Sequence, residues 1–80
     1  MINKYPITDT IQQRLDNDYQ YHAPMGDQQE RYVFLRNEGK RLAMAIVQNT
    51  PVSREQSVAL TLLDQLLMMA NAAIARNEKE

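Results

Sequence analysis

The sequence predicts an all-α fold: a short N-terminal helix followed by a long antiparallel helical hairpin, assembling into a compact homo-oligomer. Three observations predict it. Residues 53–77 contain no glycine or proline and carry apolar side chains at helical spacing. A second helical stretch, 27–49, precedes them, separated only by a turn containing Pro51. The third is size: 80 residues without a cysteine form a marginal core and no disulfide, so oligomerisation is the remaining route to stability. The whole chain, 1–80, reads as one domain.

Residues 1–20 read as a variable arm that ends in a short helix. Thr8 is a good N-cap, and Ile7, Ile11 and Leu15 repeat every fourth residue, which predicts a helix from about Asp9 to Asn17. Two to three turns are not stable alone in water, so this ridge must dock on the hairpin or on a neighbouring subunit. The segment YQYHAPMG, residues 19–26, then breaks the helix with Pro24 and Gly26. Its tyrosines, Tyr19 and Tyr21, have two readings: amphipathic cover for the hairpin, or a platform on which a planar ligand stacks.

Asp27 is the expected N-cap of the second helix, with Glu30 closing a capping box. Tyr32, Leu35, Leu42 and Ile46 form its apolar stripe, with Gly39 in the slot between. A mid-helix glycine costs roughly 1 kcal/mol against alanine, so Gly39 marks either a close approach or a tolerated weakness. Pro51 ends this helix, and Ser53 with Gln56 opens the third through another capping box. So short a connection forces the two long helices antiparallel. On the third helix, Ala59, Leu63, Leu66, Ala70 and Ala73 draw one stripe, Leu60, Leu67 and Ile74 a second, and Leu62 and Met69 widen the surface. One neighbour cannot cover a helix this apolar.

Several functions are excluded. The chain has no cysteine and only one histidine, His22, which leaves no thiolate or histidine-cluster metal site and no cysteine nucleophile. No G-x-S-x-G context, paired carboxylates or glycine-rich phosphate loop supports an enzyme. A net charge of −1 gives no generic grip on DNA or an anionic membrane. The N-terminus lacks the pattern of a signal peptide, and the uninterrupted apolar runs fall short of a membrane span, so a soluble intracellular protein is expected. No cofactor is expected.

Binding chemistry has better candidates. Arg36 and Lys40, four residues apart, project from one helix face and suit phosphate; a solvated basic face is the plain alternative. Arg76 and Asn77 close the third helix, where a cation also suits the helix dipole. Asn71 lies among small and apolar residues in MMANAAIA and needs a partner from an interface or a ligand.

Three motifs carry a family resemblance: P-x-G-D-Q-x-E-R-Y at Pro24 to Tyr32, S-R-E-x-S-x-A-L-T-x-L at Ser53 to Leu63, and M-x-A-N-A-A-I-A-R-N at Met68 to Asn77. Over roughly residues 21–78 the chain resembles a family of small phage anti-CBASS proteins, with Met69 standing where many relatives have an aromatic residue. The resemblance implies a sponge in the cytoplasm of an infected bacterium. Such a protein sequesters the cyclic oligonucleotide messengers of host immunity without cleaving them, so that the effectors stay inactive. It also implies a homohexamer with two kinds of pocket. Tyr21, with Tyr19 as competitor, would stack on a base of a 3′,3′-cGAMP-like dinucleotide, and Arg36 or Lys40 would meet its phosphate. Arg76, Asn77 and Asn71 would serve a pocket for cyclic triadenylate-like trinucleotides. The alternative from another class is an adaptor that docks its apolar hairpin face on a host protein.

Overall fold

The computed structural model of the chain describes residues 3–78. It contains three helices: α1 at Asp9–Asp18, α2 at Gln28–Asn49 and α3 at Arg54–Asn77, and no strand among the described residues. α2 and α3 pack against each other as the hairpin, and the molecule is a slab only 15 Å thick. An α-helix with its side chains is itself about 10–12 Å across, so the hairpin is one layer deep. That thinness governs burial. Leu63, at 7% exposure, is the one buried apolar side chain among the described residues.

The seam between the helices has heptad-like spacing. On α3 it holds Gln56, Leu60, Leu63, Leu67, Ala70 and Ile74; on α2 it holds Gln28, Tyr32, Leu35, Gly39, Ala43 and Ile46, all buried or half-buried. This narrows the stripes expected from sequence. Leu66 is 60% exposed and Ala73 is also exposed, because a single partner covers only a narrow strip and both residues fall beyond its edge. Leu42 likewise points away, 51% exposed, and Ala43 takes the position expected for it. Gly39 is buried by close approach of α3: a Cβ there would overlap Leu67 Cδ1 and lie 3.0 Å from Cδ2 and 3.2 Å from Cγ.

Caps fix the helix ends, though not all as expected. Thr8 Oγ1 accepts from the Ile11 amide at 3.2 Å, and Ser53 Oγ from the Gln56 amide at 3.1 Å. The Gln56 side chain does not return to Ser53; it donates to the carbonyl and hydroxyl of Thr50, both at 3.1 Å, and so braces the turn. Asp27 makes no side-chain cap, and the box with Glu30 does not form. The reason is competition: the Asp27 carboxylate is held by the Arg31 guanidinium one turn ahead, at 3.0 Å. Gly26, at φ +52°, makes the tight entry into α2, and a side chain would be strained in that conformation.

A polar clasp ties the far end of the hairpin together. Arg31 grips Glu78 with two bonds, Nη1 to Oε2 at 2.6 Å and Nη2 to Oε1 at 2.5 Å. Gln28, 4% exposed, donates to Glu78 Oε1 at 3.1 Å and accepts from the Met25 amide at 2.9 Å. Chiefly the Arg31 hydrogen bonds, and then the Gln28 bond, pull the Glu78 carboxyl down to about 2. The same pairing raises the Arg31 guanidinium above its ordinary value.

α1 docks on the C-terminal end of α3 largely through polar groups. Asn17 Nδ2 donates to the Arg76 carbonyl at 3.0 Å, Arg76 pairs with Asp18 at 3.6 Å, and His22 Nε2 donates to the Asn17 carbonyl at 2.8 Å. Ile7 and Ile11 stay exposed.

By length and composition α3 is apolar enough to cross a membrane. Its unbroken apolar runs are short, but the average over the helix is dominated by leucine, methionine and alanine despite Ser57, Thr61, Asp64 and Asn71. The core helix of a helical assembly has the same composition, and this one buries Leu63 against α2.

Candidate nucleotide-binding cleft

The loop and the hairpin meet at a concavity of about 380 Å³. The loop contributes Tyr21, His22 and Pro24, α2 contributes Gln29, Tyr32 and Arg36, and α3 contributes Asn71, Ala72 and Ala75. The local sequence explains each wall. Helical spacing of three to four residues puts Gln29, Tyr32 and Arg36 on one flank of α2. Ala72 and Ala75 are small and open a floor beside them. His22, fixed by its bond to Asn17, orients the loop, and Tyr21 projects from it with 82% of its surface free.

A second concavity, about 340 Å³, adjoins the first and is lined by Arg36, Asp64, Leu67, Met68 and Asn71. Arg36 and Asn71 belong to both. Asn71 Oδ1 is buried, and among the described residues no group donates a hydrogen bond to it.

Ion pairing sorts the basic residues. Arg31 is paired with Asp27 and Glu78, Arg41 with Glu38 at 3.0 Å, and Arg76 with Asp18 at 3.6 Å. Arg36 and Lys40 have no ion-pair partner among the described residues. The cleft therefore offers flat rings and a cation with no ion-pair partner among the described residues. Among the described residues, no group of three or more His, Cys, Asp or Glu side chains is placed to hold a metal ion.

The residues singled out from sequence divide accordingly. Tyr21, Arg36 and Asn71 line one cleft. Tyr19, 85% exposed, and Lys40 do not line it. Arg76 and Asn77 lie elsewhere, at the end of α3, with Arg76 on Asp18 and the Asn77 amide donating to the Ala73 carbonyl at 2.9 Å. Sequence reasoning grouped Asn71 with those two; in the fold it lies with Tyr21 and Arg36. Gln29, Tyr32 and His22 were not among the candidates. The motif from Pro24 to Tyr32 contains Gln29 and Tyr32, but their direction depends on how α3 crosses α2.

No curated protein and no solved structure matches the chain. The family described as Acb2/Tad1, hairpin domain, matches residues 12–75 of the 80. The match begins inside α1. It ends just before Arg76. With its helical hairpin and with most of its length matched, the chain belongs to the Acb2/Tad1 hairpin-domain family.

Proposed function

We propose that the protein is a phage anti-CBASS sponge, acting in the cytoplasm of the infected bacterium. It binds cyclic di- and trinucleotide messengers and withholds them, intact, from the host's effectors. One observation carries the reading: Tyr21, Arg36 and Asn71, on three separate segments, line one cleft. A stacking ring, an unpaired cation and an amide are what a nucleotide requires of a site. Family membership supports the same reading. Arg76 and Asn77, with the Asp18 pairing relaxed, are the candidates for a separate trinucleotide pocket.

The working form in this reading is a closed homo-oligomer, a hexamer by family resemblance. Surface area supports association. The chain exposes 7013 Å², whereas a compact monomer of 9.3 kDa exposes about 5000 Å². The excess, about 2000 Å², is the size of a stable protein–protein interface. Leu62, Leu66, Met68 and Met69, exposed along α3, are the residues a second copy would cover.

The test is isothermal titration with 3′,3′-cGAMP, followed by cyclic triadenylate on the saturated protein. Heat in both steps is the expected result. The messenger should be recovered uncleaved after denaturation. No heat with either ligand would overturn the proposal and bring the adaptor reading forward.

A further inference from the structure

Gln28 is the one buried polar side chain among the described residues, at 4% exposure. It occupies a seam position, where an apolar residue would pack without needing hydrogen-bond partners. Both ends of its amide are used. Oε1 accepts from the Met25 backbone amide at 2.9 Å, and Nε2 donates to Glu78 Oε1 at 3.1 Å. Glu78 is itself gripped by the Arg31 guanidinium. Gln28 therefore ties the end of the loop, just before Gly26, to the chain immediately beyond α3. A matching tie holds the start of the loop: His22 Nε2 donates to the Asn17 carbonyl, and Asn17 Nδ2 to the Arg76 carbonyl. The loop wall of the cleft, Tyr21, His22 and Pro24, hangs between these two ties.

We infer that Gln28 is a positioning residue for the cleft, fixing the loop that carries Tyr21 in its binding shape before a ligand arrives. This rests on the sponge reading and deepens it. Gln28 is not in the lining of the cleft, so it acts through the Met25 backbone and not by touching the ligand there. Packing does not do the same work, because Tyr19 and Tyr21 are exposed. The Met25 carbonyl also accepts from the Gln28 backbone amide at 2.9 Å, but that bond closes the turn into α2 and does not reach α3. A loop fixed beforehand spares the ligand the cost of ordering it. Where the competent shape is only partly populated, apparent affinity falls by that fraction.

The experiment titrates 3′,3′-cGAMP into the natural protein and into Gln28→Met, whose flexible apolar side chain keeps the seam filled. Affinity should fall about tenfold, as for a loop that is competent about one-tenth of the time. In a Tyr21→Ala background the same change should weaken binding less than about twofold, because the ring being positioned is gone. Without ligand, hydrogen exchange at the Met25 amide should speed up in Gln28→Met, while the seam amides of α2 and α3 keep their protection. Glu78→Ala removes the far end of the tie from a less buried position, and it should shift both readouts the same way even if Gln28→Met fails to fold. Undiminished affinity in the variants would overturn the inference and leave the sponge reading intact. Equal losses in the natural and Tyr21→Ala backgrounds would overturn it too, as would faster exchange along both helices, since a general weakening of the hairpin gives both. If the natural protein bound neither 3′,3′-cGAMP nor cyclic triadenylate, the sponge reading would fall and this inference with it.

Discussion

Substituting Gly39 by alanine sets two effects of known size against each other at the tightest point of the hairpin. Within an isolated helix the change should stabilise by about 1 kcal/mol, since glycine is the poorer helix former. In this fold the new Cβ would overlap Leu67 Cδ1 and lie 3.0 Å from Cδ2 and 3.2 Å from Cγ, so the whole branched end of Leu67 must move. Overpacking of this kind costs about 1–3 kcal/mol. The middle of that range, about 2 kcal/mol, applies, because Leu67 borders an open groove shared with Leu35, Leu63 and Leu66 and can swing only partly into it. The net expectation is a loss of about 1 kcal/mol. Removing the obstacle should reverse the sign: in a Leu67→Ala background, Gly39→Ala should stabilise by about 1 kcal/mol. The coupling between the two sites is then about 2 kcal/mol, within the range for side chains in direct contact. Urea unfolding followed by circular dichroism, at one fixed protomer concentration because the proposed association would contribute to stability, measures all four proteins. If Gly39→Ala stabilised the natural chain by the full propensity difference, or if the two changes were additive, close approach would not be the reason for this glycine.

Four further outcomes are expected. Tyr21→Ala should weaken cyclic dinucleotide binding by about 1–3 kcal/mol, the usual worth of base stacking, as read by titration calorimetry; undiminished affinity would move the stacking role to Tyr19. Arg36→Ala should weaken the same ligand and flatten its salt dependence, whereas Lys40→Ala, outside the cleft, should leave both unchanged. Arg76→Ala should impair trinucleotide capture and spare dinucleotides, and equal loss of both would show that the chain has no separate second pocket. The Glu78 carboxyl is held down at about 2 against an ordinary 4.5, so its stabilising contribution is complete above pH 4.5 and is lost as pH falls towards 2. Acid titration of helicity in Glu78→Gln should lack that component, and an acid transition identical to the natural protein's would refute the clasp.

Much of the fold was legible because its signals are local. Pro51 between two apolar helical stretches requires a turn, and Thr8 and Ser53 mark helix starts by a bond that spans three residues. The width of the seam was not legible. The spacings of Leu66 and Leu42 fit a helical stripe, but whether a stripe residue is covered depends on how many neighbours the helix has, and one chain provides only one. The Asp27 cap failed for a related reason: Arg31, one turn on and fixed by Glu78 from the far end of the chain, takes the carboxylate first. The cleft was partly legible. The types of Tyr21, Arg36 and Asn71 made each a candidate alone. Their meeting depends on the crossing of α2 and α3, and Asn71 was accordingly grouped with its sequence neighbours Arg76 and Asn77.

The thinness of the hairpin connects its stability to its proposed work. A layer 15 Å thick cannot bury both flanks of any helix, so apolar side chains such as Leu62, Leu66 and Met69 remain exposed unless another copy covers them. The same thinness puts the polar residues of the seam's edge, Arg36 and Asn71, within reach of the surface, where a thicker domain would have enclosed or paired them. The association proposed above would bury the apolar flanks and close walls over the clefts at their edges. Binding sites of this kind need no catalytic groups and no cofactor; they need repeated shallow clefts whose unpaired polar atoms are satisfied by the ligand. Ligand binding should then stabilise the assembly as well as occupy it, because a ligand that binds only the folded form adds its binding free energy to stability.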